Sequence, residues 1–165
     1  IKEILKKHGF SKIFGLSIYE LDDLSLFSNM TIDRIQLPDN LYWQKDKSNL
    51  NRFRKKCNLI DVRSIFLQGV IPSPPLLTSS RIPKELYLHH EKVWNECLKN
   101  SESIYDLCLS YIKSKRYDNI VVGIENVTEL DNFISAYRNA DENKSYDRFR
   151  FNRKEADPRK WKPLK

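Results

Sequence analysis

The chain has 165 residues, 40% of them apolar and 12% aromatic, which is enough for one domain with a real core and excludes a chain disordered throughout. No apolar run is long enough to span a bilayer and no charged-then-apolar leader precedes residue 20, so a cytoplasmic protein with no membrane partner is expected. The net charge of +7 would admit nucleic acid, but from Arg138 onward ten Lys/Arg against five Asp/Glu supply +5 and leave +2 for the body, so nucleic acid is a disfavoured partner.

The chain begins with Ile1, Ile4, Leu5 and His8 on one helical face, closed by Gly9 as a C-terminal cap. No Ser, Thr, Asp or Asn precedes this first turn. The chain is therefore expected to start inside a helix and to be a piece of a longer one. Next, "KIFGLSIY" has the composition of an apolar strand ending at Ser17, and "ELDDLSLFSN" has helical spacing at Leu21, Leu24 and Phe27. "IDRIQLP" predicts a second strand, closed by Pro38, which cannot continue a central ladder. A loop, "DNLYWQKDK", leads to a helix "SNLNRFRKKC" with Ser48 as its expected cap. "LIDVRSIFLQG" predicts the third strand, although Arg63, Ser64 and Gln68 interrupt its apolar run.

The prolines of "VIPSPPLLTSSRIP" predict a long irregular loop. Two helices follow, one over Lys84 to Leu98 and one through "ESIYDLCLSYIKSK", with Ile104, Leu107, Cys108 and Tyr111 on one face. His89 and His90 fall in a polar helical stretch and predict solvated surface; neither they nor His8 make a metal-ligand spacing. The three cysteines, Cys57, Cys97 and Cys108, have no redox or metal spacing, which fits a reducing compartment. "NIVVGI" predicts the fourth strand and "NVTELDNFISAYRN" the last body helix, with Leu130, Phe133, Ile134 and Tyr137 inward. Residues 141–165 then form a basic C-terminal tail.

Alternating strands and helices imply parallel strands with right-handed crossovers, in an open doubly wound sheet or a (β/α)8 barrel. An open dinucleotide-binding sheet would carry a Gly-rich turn after a strand, and the chain has only four glycines. Gly15, Gly69 and Gly123 instead sit near strand C-termini, among the polar residues Ser17, Tyr19, Gln36, Arg63, Ser64, Gln68, Glu125 and Asn126. Each of these alone reads as a satisfied polar group in a barrel core or rim. Their recurrence at one end of successive strands favours a ligand-facing rim, where barrels place their sites. A full barrel of this kind takes about 250 residues, so the expected fold is α/β: about four βα units, the C-terminal half of a (β/α)8 TIM barrel over residues 1–140, with an extra helix before the last strand.

The segments "KIFGLSIY", "IDRIQLP", "VRSIFLQG" and "VVGIENVTELDNFISA", in this order and at barrel spacing, resemble the last four strands of the aldo-keto reductases. The resemblance covers residues 1 to about 140, and "DPRKW" is similar to the end of some bacterial members. It implies an oxidoreductase that binds NADP or NAD and reduces a small carbonyl substrate. Ser17 and Gln36 would bond the nicotinamide carboxamide. Arg63 stands where many members stack an aromatic ring on the nicotinamide, and Ser64 follows it. Gln68 and Gly69 would open the loop over the pyrophosphate, with Ser79, Ser80 and Arg81 as phosphate partners by their chemistry. Gly123, Glu125 and Asn126 match the fourth-strand exit beside the adenosine phosphate, and Asn132 neighbours a position that reaches adenine, held here by Phe133.

Three departures stand out. Ile18 replaces a polar residue, and Glu125 replaces a small hydroxyl residue beside the place of a 2′-phosphate, which leaves NAD or NADP open. The family's catalytic Asp, Tyr, Lys and His belong to strands earlier than these, so no catalytic residue is assigned and the chain alone is expected to be inactive. Its implied partner is the N-terminal half of the same chain, and unpaired edges at "KIFGLSIY" and "NIVVGI" would otherwise favour self-association. The alternative is a non-catalytic half-barrel that serves binding or assembly.

Overall fold

A computed structural model describes residues 2–9, 13–20, 23–24, 27, 32–151 and 154–161. The expected helix over "ELDDLSLFSN" lies largely outside these residues. The chain divides into two compact units. One comprises Ile1–Pro38, Lys45–Arg63 and Tyr117–Val121; the other comprises Asp39–Gln44, Ser64–Arg116 and Val122–Lys165.

The first unit is a four-stranded sheet of β1 (Gly15–Ser17), β2 (Ile32–Pro38), β3 (Cys57–Arg63) and β4 (Asn119–Ile120), in that spatial order. All three pairings are parallel, as strand–helix alternation predicts. The register sets Leu16, Ile35 and Ile60 side by side. This row packs with Ile18, Leu37 and with Leu50 and Phe53 of the helix α2 (Lys47–Arg54). Period-two alternation turns the next row, Ser17, Gln36, Asp61 and Asn119, to the opposite face. The short helix α1 (Lys2–Lys7) ends at Gly9, whose φ of +71° is the left-handed cap expected there. The cap of α2 is Asp46 and not Ser48, because Asp46 carries the extended backbone that an N-cap requires.

The second unit contains the single-turn α3 (Pro75–Thr78), which forms inside the proline-rich loop expected to be irregular. Pro75 at the start of a helix loses no bond, because that amide would have no partner there. The helices α4 (Lys84–Lys99) and α5 (Ile104–Ser114) follow close to their expected positions, and Ser103 caps α5 by accepting from Asp106 N. The last helix, α6 (Val127–Asn139), departs from expectation. None of its residues is buried, and Leu130 and Ile134 are 41% and 37% exposed. Its anchorage is at the C-terminal end, where Lys113 Nζ donates to the carbonyls of Arg138 and Ala140, each at 3.0 Å. Beyond it, 3-10 turns at Asp147–Phe149, Lys154–Ala156 and Pro158–Lys160 bring buried Tyr146, Phe149, Phe151 and Ala156 into this unit.

The third strand is shorter than the apolar run that predicts it. It stops at Arg63, and Ser64, Leu67, Gln68 and Gly69 all take positive φ, between 50° and 77°. Leu67 N donates to Ser64 O at 2.9 Å and Val70 N to Leu67 O at 3.1 Å, so the run closes into successive turns. Ile65, Leu67, Val70 and Ile71 are buried within the second unit, which is why an apolar sequence here does not need a strand. The fourth strand is also short: only Asn119 and Ile120 pair, with one further bond from Val121 N to Val62 O at 2.8 Å. Among the described residues no helix is long and apolar enough to cross a membrane.

Candidate functional site

The polar face of the sheet brings Ser17 and Gln36 together. They are register partners on adjacent strands, and Ser17 Oγ donates to Gln36 Oε1 at 3.4 Å. With its proton so used, the hydroxyl keeps lone pairs to accept with, and the amide keeps the Nε2 hydrogens to donate. A carboxamide presents the complementary set, one acceptor oxygen and an NH2 donor. Three further members of this face, Arg34, Asp61 and Asn119, were not singled out in the sequence. Asp61 is buried to 4% exposure, accepts from Asn119 Nδ2 at 2.8 Å, and lies 3.5 Å from Arg34 Nε. The polar–apolar alternation Arg34–Ile35–Gln36 and Asp61–Val62–Arg63 was the available signal.

Where β1 and β3 run out, the Arg63 guanidinium carbon lies 4.6 Å from the Tyr19 ring centroid, a cation–π stack. Tyr19 is held in place by its backbone. Its N–H donates to Asp23 Oδ2 at 2.8 Å and its carbonyl accepts from Lys45 Nζ at 2.8 Å. Lys45 is only 3% exposed and also pairs with Glu20 Oε1 at 2.8 Å. A buried lysine with a carboxylate and a carbonyl fixes this corner, and nothing in its loop "DNLYWQKDK" marked it beforehand.

The other expected residues belong to the second unit. Ser64, Gln68 and Gly69 form the left-handed turn described above. Arg81 Nη2 donates to Gln68 O at 3.0 Å, and Ser73 Oγ to Gly69 O at 2.6 Å. Among the described residues the N–H groups of Gln68 and Gly69 have no protein acceptor. Successive amides in left-handed turns of this kind make a concavity suited to an anion. The Ser79 hydroxyl donates to Leu76 O at 3.0 Å and so closes α3. At the start of α6, Asn126 Oδ1 accepts from Glu129 N at 2.9 Å, and Glu129 Oε2 accepts from Glu125 N at 2.8 Å. Asn126 and Glu129 thus cap the helix between them, with Glu125 contributing only its backbone N–H, an arrangement legible in the Asn-x-x-Glu spacing. Gly123 and Asn132 are exposed, and a Cβ at Gly123 would meet nothing within 4 Å.

The histidine pair is not solvated surface. His90 is fully buried and His89 half-buried, because α4 turns both toward the loop at Tyr42. His90 Nε2 donates to Ser73 O at 2.9 Å, so the neutral ring accepts the Tyr42 hydroxyl at Nδ1, 2.8 Å away. His89 Nε2 donates to Phe149 O at 2.9 Å. Burial lowers both imidazole pKa values and raises that of Tyr42 well above its ordinary value. Burial likewise raises Cys57 and Cys97 to about 11, so these free thiols stay protonated and unreactive at neutral pH. No group of His, Cys, Asp and Glu side chains among the described residues could hold a metal ion.

No family model matches the sequence, and no curated protein matches it. Among solved structures the fold is similar to the aldo-keto reductase AKR11B4, a glycerol dehydrogenase from Gluconobacter oxydans, with a TM-score of 0.51 and 13% identity. The match covers 87% of this chain and 55% of that one, so the chain spans about half the length of the structure it resembles. At this identity the likeness concerns the fold: a parallel α/β sheet with helices that corresponds to part of a barrel enzyme.

Proposed function

We propose that this chain is the C-terminal, cofactor-binding half of an aldo-keto reductase barrel, and that its strand ends hold the nicotinamide of NAD or NADP for reduction of a small carbonyl compound. The observation that carries the reading is the Ser17–Gln36 pair. Two strands deliver a hydroxyl and an amide in register at the end where parallel barrels bind ligands. The pair fits a carboxamide with one donor and one acceptor to spare. When bound, the nicotinamide supplies the hydride. Ser17 and Gln36 set which face of its ring is presented, which is a matter of orientation. Within the second unit, the Ser64–Gly69 turn offers the Gln68 and Gly69 amides to phosphate oxygens, and Arg81 holds the turn through Gln68 O. The 2′-phosphate side stays open, because Glu125 is exposed beside the α6 cap and would repel a phosphate there.

The test is cofactor affinity, measured by fluorescence titration with reduced NAD and NADP. Ser17→Ala and Gln36→Ala each remove one hydrogen bond, worth roughly 0.5–1.5 kcal/mol, so each variant is expected to bind about two- to tenfold more weakly. Unchanged affinity in both would mean that the pair only ties the sheet together.

Arg63 carries a second expectation. Its cation would disfavour the positively charged oxidised ring and leave the neutral reduced ring unaffected. Unit charges about 4 Å apart interact by about 1–4 kcal/mol between bulk water and a protein surface. The reduced cofactor should therefore bind more tightly than the oxidised one, and Arg63→Gln should shrink that preference about fivefold or more. An identical preference in the variant would remove Arg63 from the nicotinamide.

The resemblance assigns no proton donor for a developing alkoxide to the residues proposed to hold the nicotinamide, and the Ser17 hydroxyl and Gln36 amide are hydrogen-bonding groups only. The 165-residue chain is expected to bind cofactor without turning it over. Carbonyl-dependent oxidation of NADPH by the purified chain, above a buffer control, would contradict this.

A further inference from the structure

We propose that the second unit has a separate site, at the start of α4, for the phosphate monoester of a small hydroxylated molecule. A cavity of about 580 Å3 opens there, lined by Arg81, Lys84, Lys154 and Lys160. That volume lies within the roughly 300–1,000 Å3 of small-molecule sites. The cations come from three separate stretches of chain: the loop before α4 with its first residue, the turn Lys154–Ala156, and the turn Pro158–Lys160.

Among the described residues none of these four cations has a carboxylate within 4.0 Å. The nearby acid Asp157 is already engaged, because Arg159 grips both of its oxygens at 2.6 to 2.9 Å. That fork, with Trp161 Nε1 donating to Glu155 O at 2.8 Å, holds the Lys154 and Lys160 wall in shape. Gathering like charges around one cavity is unfavourable unless an anion sits among them. The α4 terminus adds to the demand. Tyr87 N, bonded to Pro83 O at 2.9 Å, is the first amide inside the helix, and the N-cap Pro83 has no side-chain acceptor for those before it.

Two carboxylates, Glu85 and Glu155, also line the cavity. Four positive charges less two negative leave +2, the complement of a phosphate monoester dianion. The two carboxylates accept only, so the rest of the ligand must donate, as hydroxyl groups do. Ile82 and Pro83 supply apolar wall for its carbon skeleton.

Glucose 6-phosphate, inorganic phosphate and glucose serve as probes in calorimetric titration of the whole chain. Glucose 6-phosphate should bind, inorganic phosphate about tenfold more weakly, and glucose not at all. The double variant Lys154→Gln, Lys160→Gln should lose about tenfold in affinity for glucose 6-phosphate and keep its NADPH affinity. Both side chains are exposed, so the fold should survive; Lys84→Gln, at the start of α4, should give the same loss. The proposal fails if glucose 6-phosphate does not bind, if both variants bind it as the parent does, or if it displaces NADPH. Displacement would make the cavity part of the dinucleotide site. Binding of glucose 6-phosphate by a chain that ignores NADPH would uphold this site and refute the proposed cofactor function alone.

Discussion

Replacing His90 with leucine should cost about 2–5 kcal/mol of stability, a large share of what a domain of this size has. The ring is fully buried and both its nitrogens are used, one by the Ser73 carbonyl and one by the Tyr42 hydroxyl. Leucine has a similar volume, so packing is roughly kept while both partners lose their bond. Each buried polar group left unsatisfied costs about 1–3 kcal/mol. Tyr42 is itself fully buried, so water cannot replace the lost contact. The same environment sets a pH dependence. Burial places the folded pKa of His90 below that of the unfolded chain, near 6.5, so the unfolded state takes up the proton first. The stability this histidine contributes is complete above about pH 6.5 and is lost as pH falls through the folded value. His89 acts in the same direction, through burial and, more weakly, the Lys92 charge. Urea unfolding at pH 7.5 and 5.5 checks both parts. The parent should lose more stability on acidification than His90→Leu does. A variant as stable as the parent at pH 7.5 would mean that the Ser73–His90–Tyr42 chain of bonds is dispensable.

How much of this was legible depends on what each pattern reports. β2 matches "IDRIQLP" from end to end, because proline and polar–apolar alternation both mark it. The helices α4 and α5 were legible from period and length. "LIDVRSIFLQG" misled because composition reports burial and not backbone direction. Ile65 and Leu67 are buried, but at turns whose positive φ no apolar side chain advertises. The histidine pair was misread for the converse reason. Its neighbours are charged, yet one face of α4 carries Leu86, His90, Val93 and Cys97 inward, at spacings of four, three and four. Of the site, Ser17 and Gln36 could be picked out singly at strand ends, but their pairing is a consequence of register. Register came from the opposite face, where Leu16, Ile35 and Ile60 must align to be covered.

That dependence of the polar face on the apolar one makes Phe53→Ala the most informative core substitution. Phe53 is 1% exposed and packs from α2 into the cluster of Ile18, Ile35, Leu37 and Ile60. Truncating a buried phenylalanine removes its transfer energy and leaves a cavity, together about 3–5 kcal/mol. The loss should also reach the site. A one-residue slip of β1 against β2 would exchange the two faces, and what forbids the slip is the burial of Ile18 and Ile35, with Leu16 packed against them, in the cluster to which α2 contributes Leu50 and Phe53. A loosened cover weakens that constraint, so Ser17 Oγ and Gln36 Oε1 should spend less time together. Cofactor affinity should then fall in Phe53→Ala under conditions where the chain is still folded, although Phe53 lies on the face away from the proposed ligand. Phe53→Leu, which keeps most of the buried volume, should restore most of both properties. Chemical unfolding and NADPH titration on the same three samples decide it. A Phe53→Ala protein that is several kcal/mol less stable yet binds NADPH as the parent does would show that the strand ends hold their register without α2.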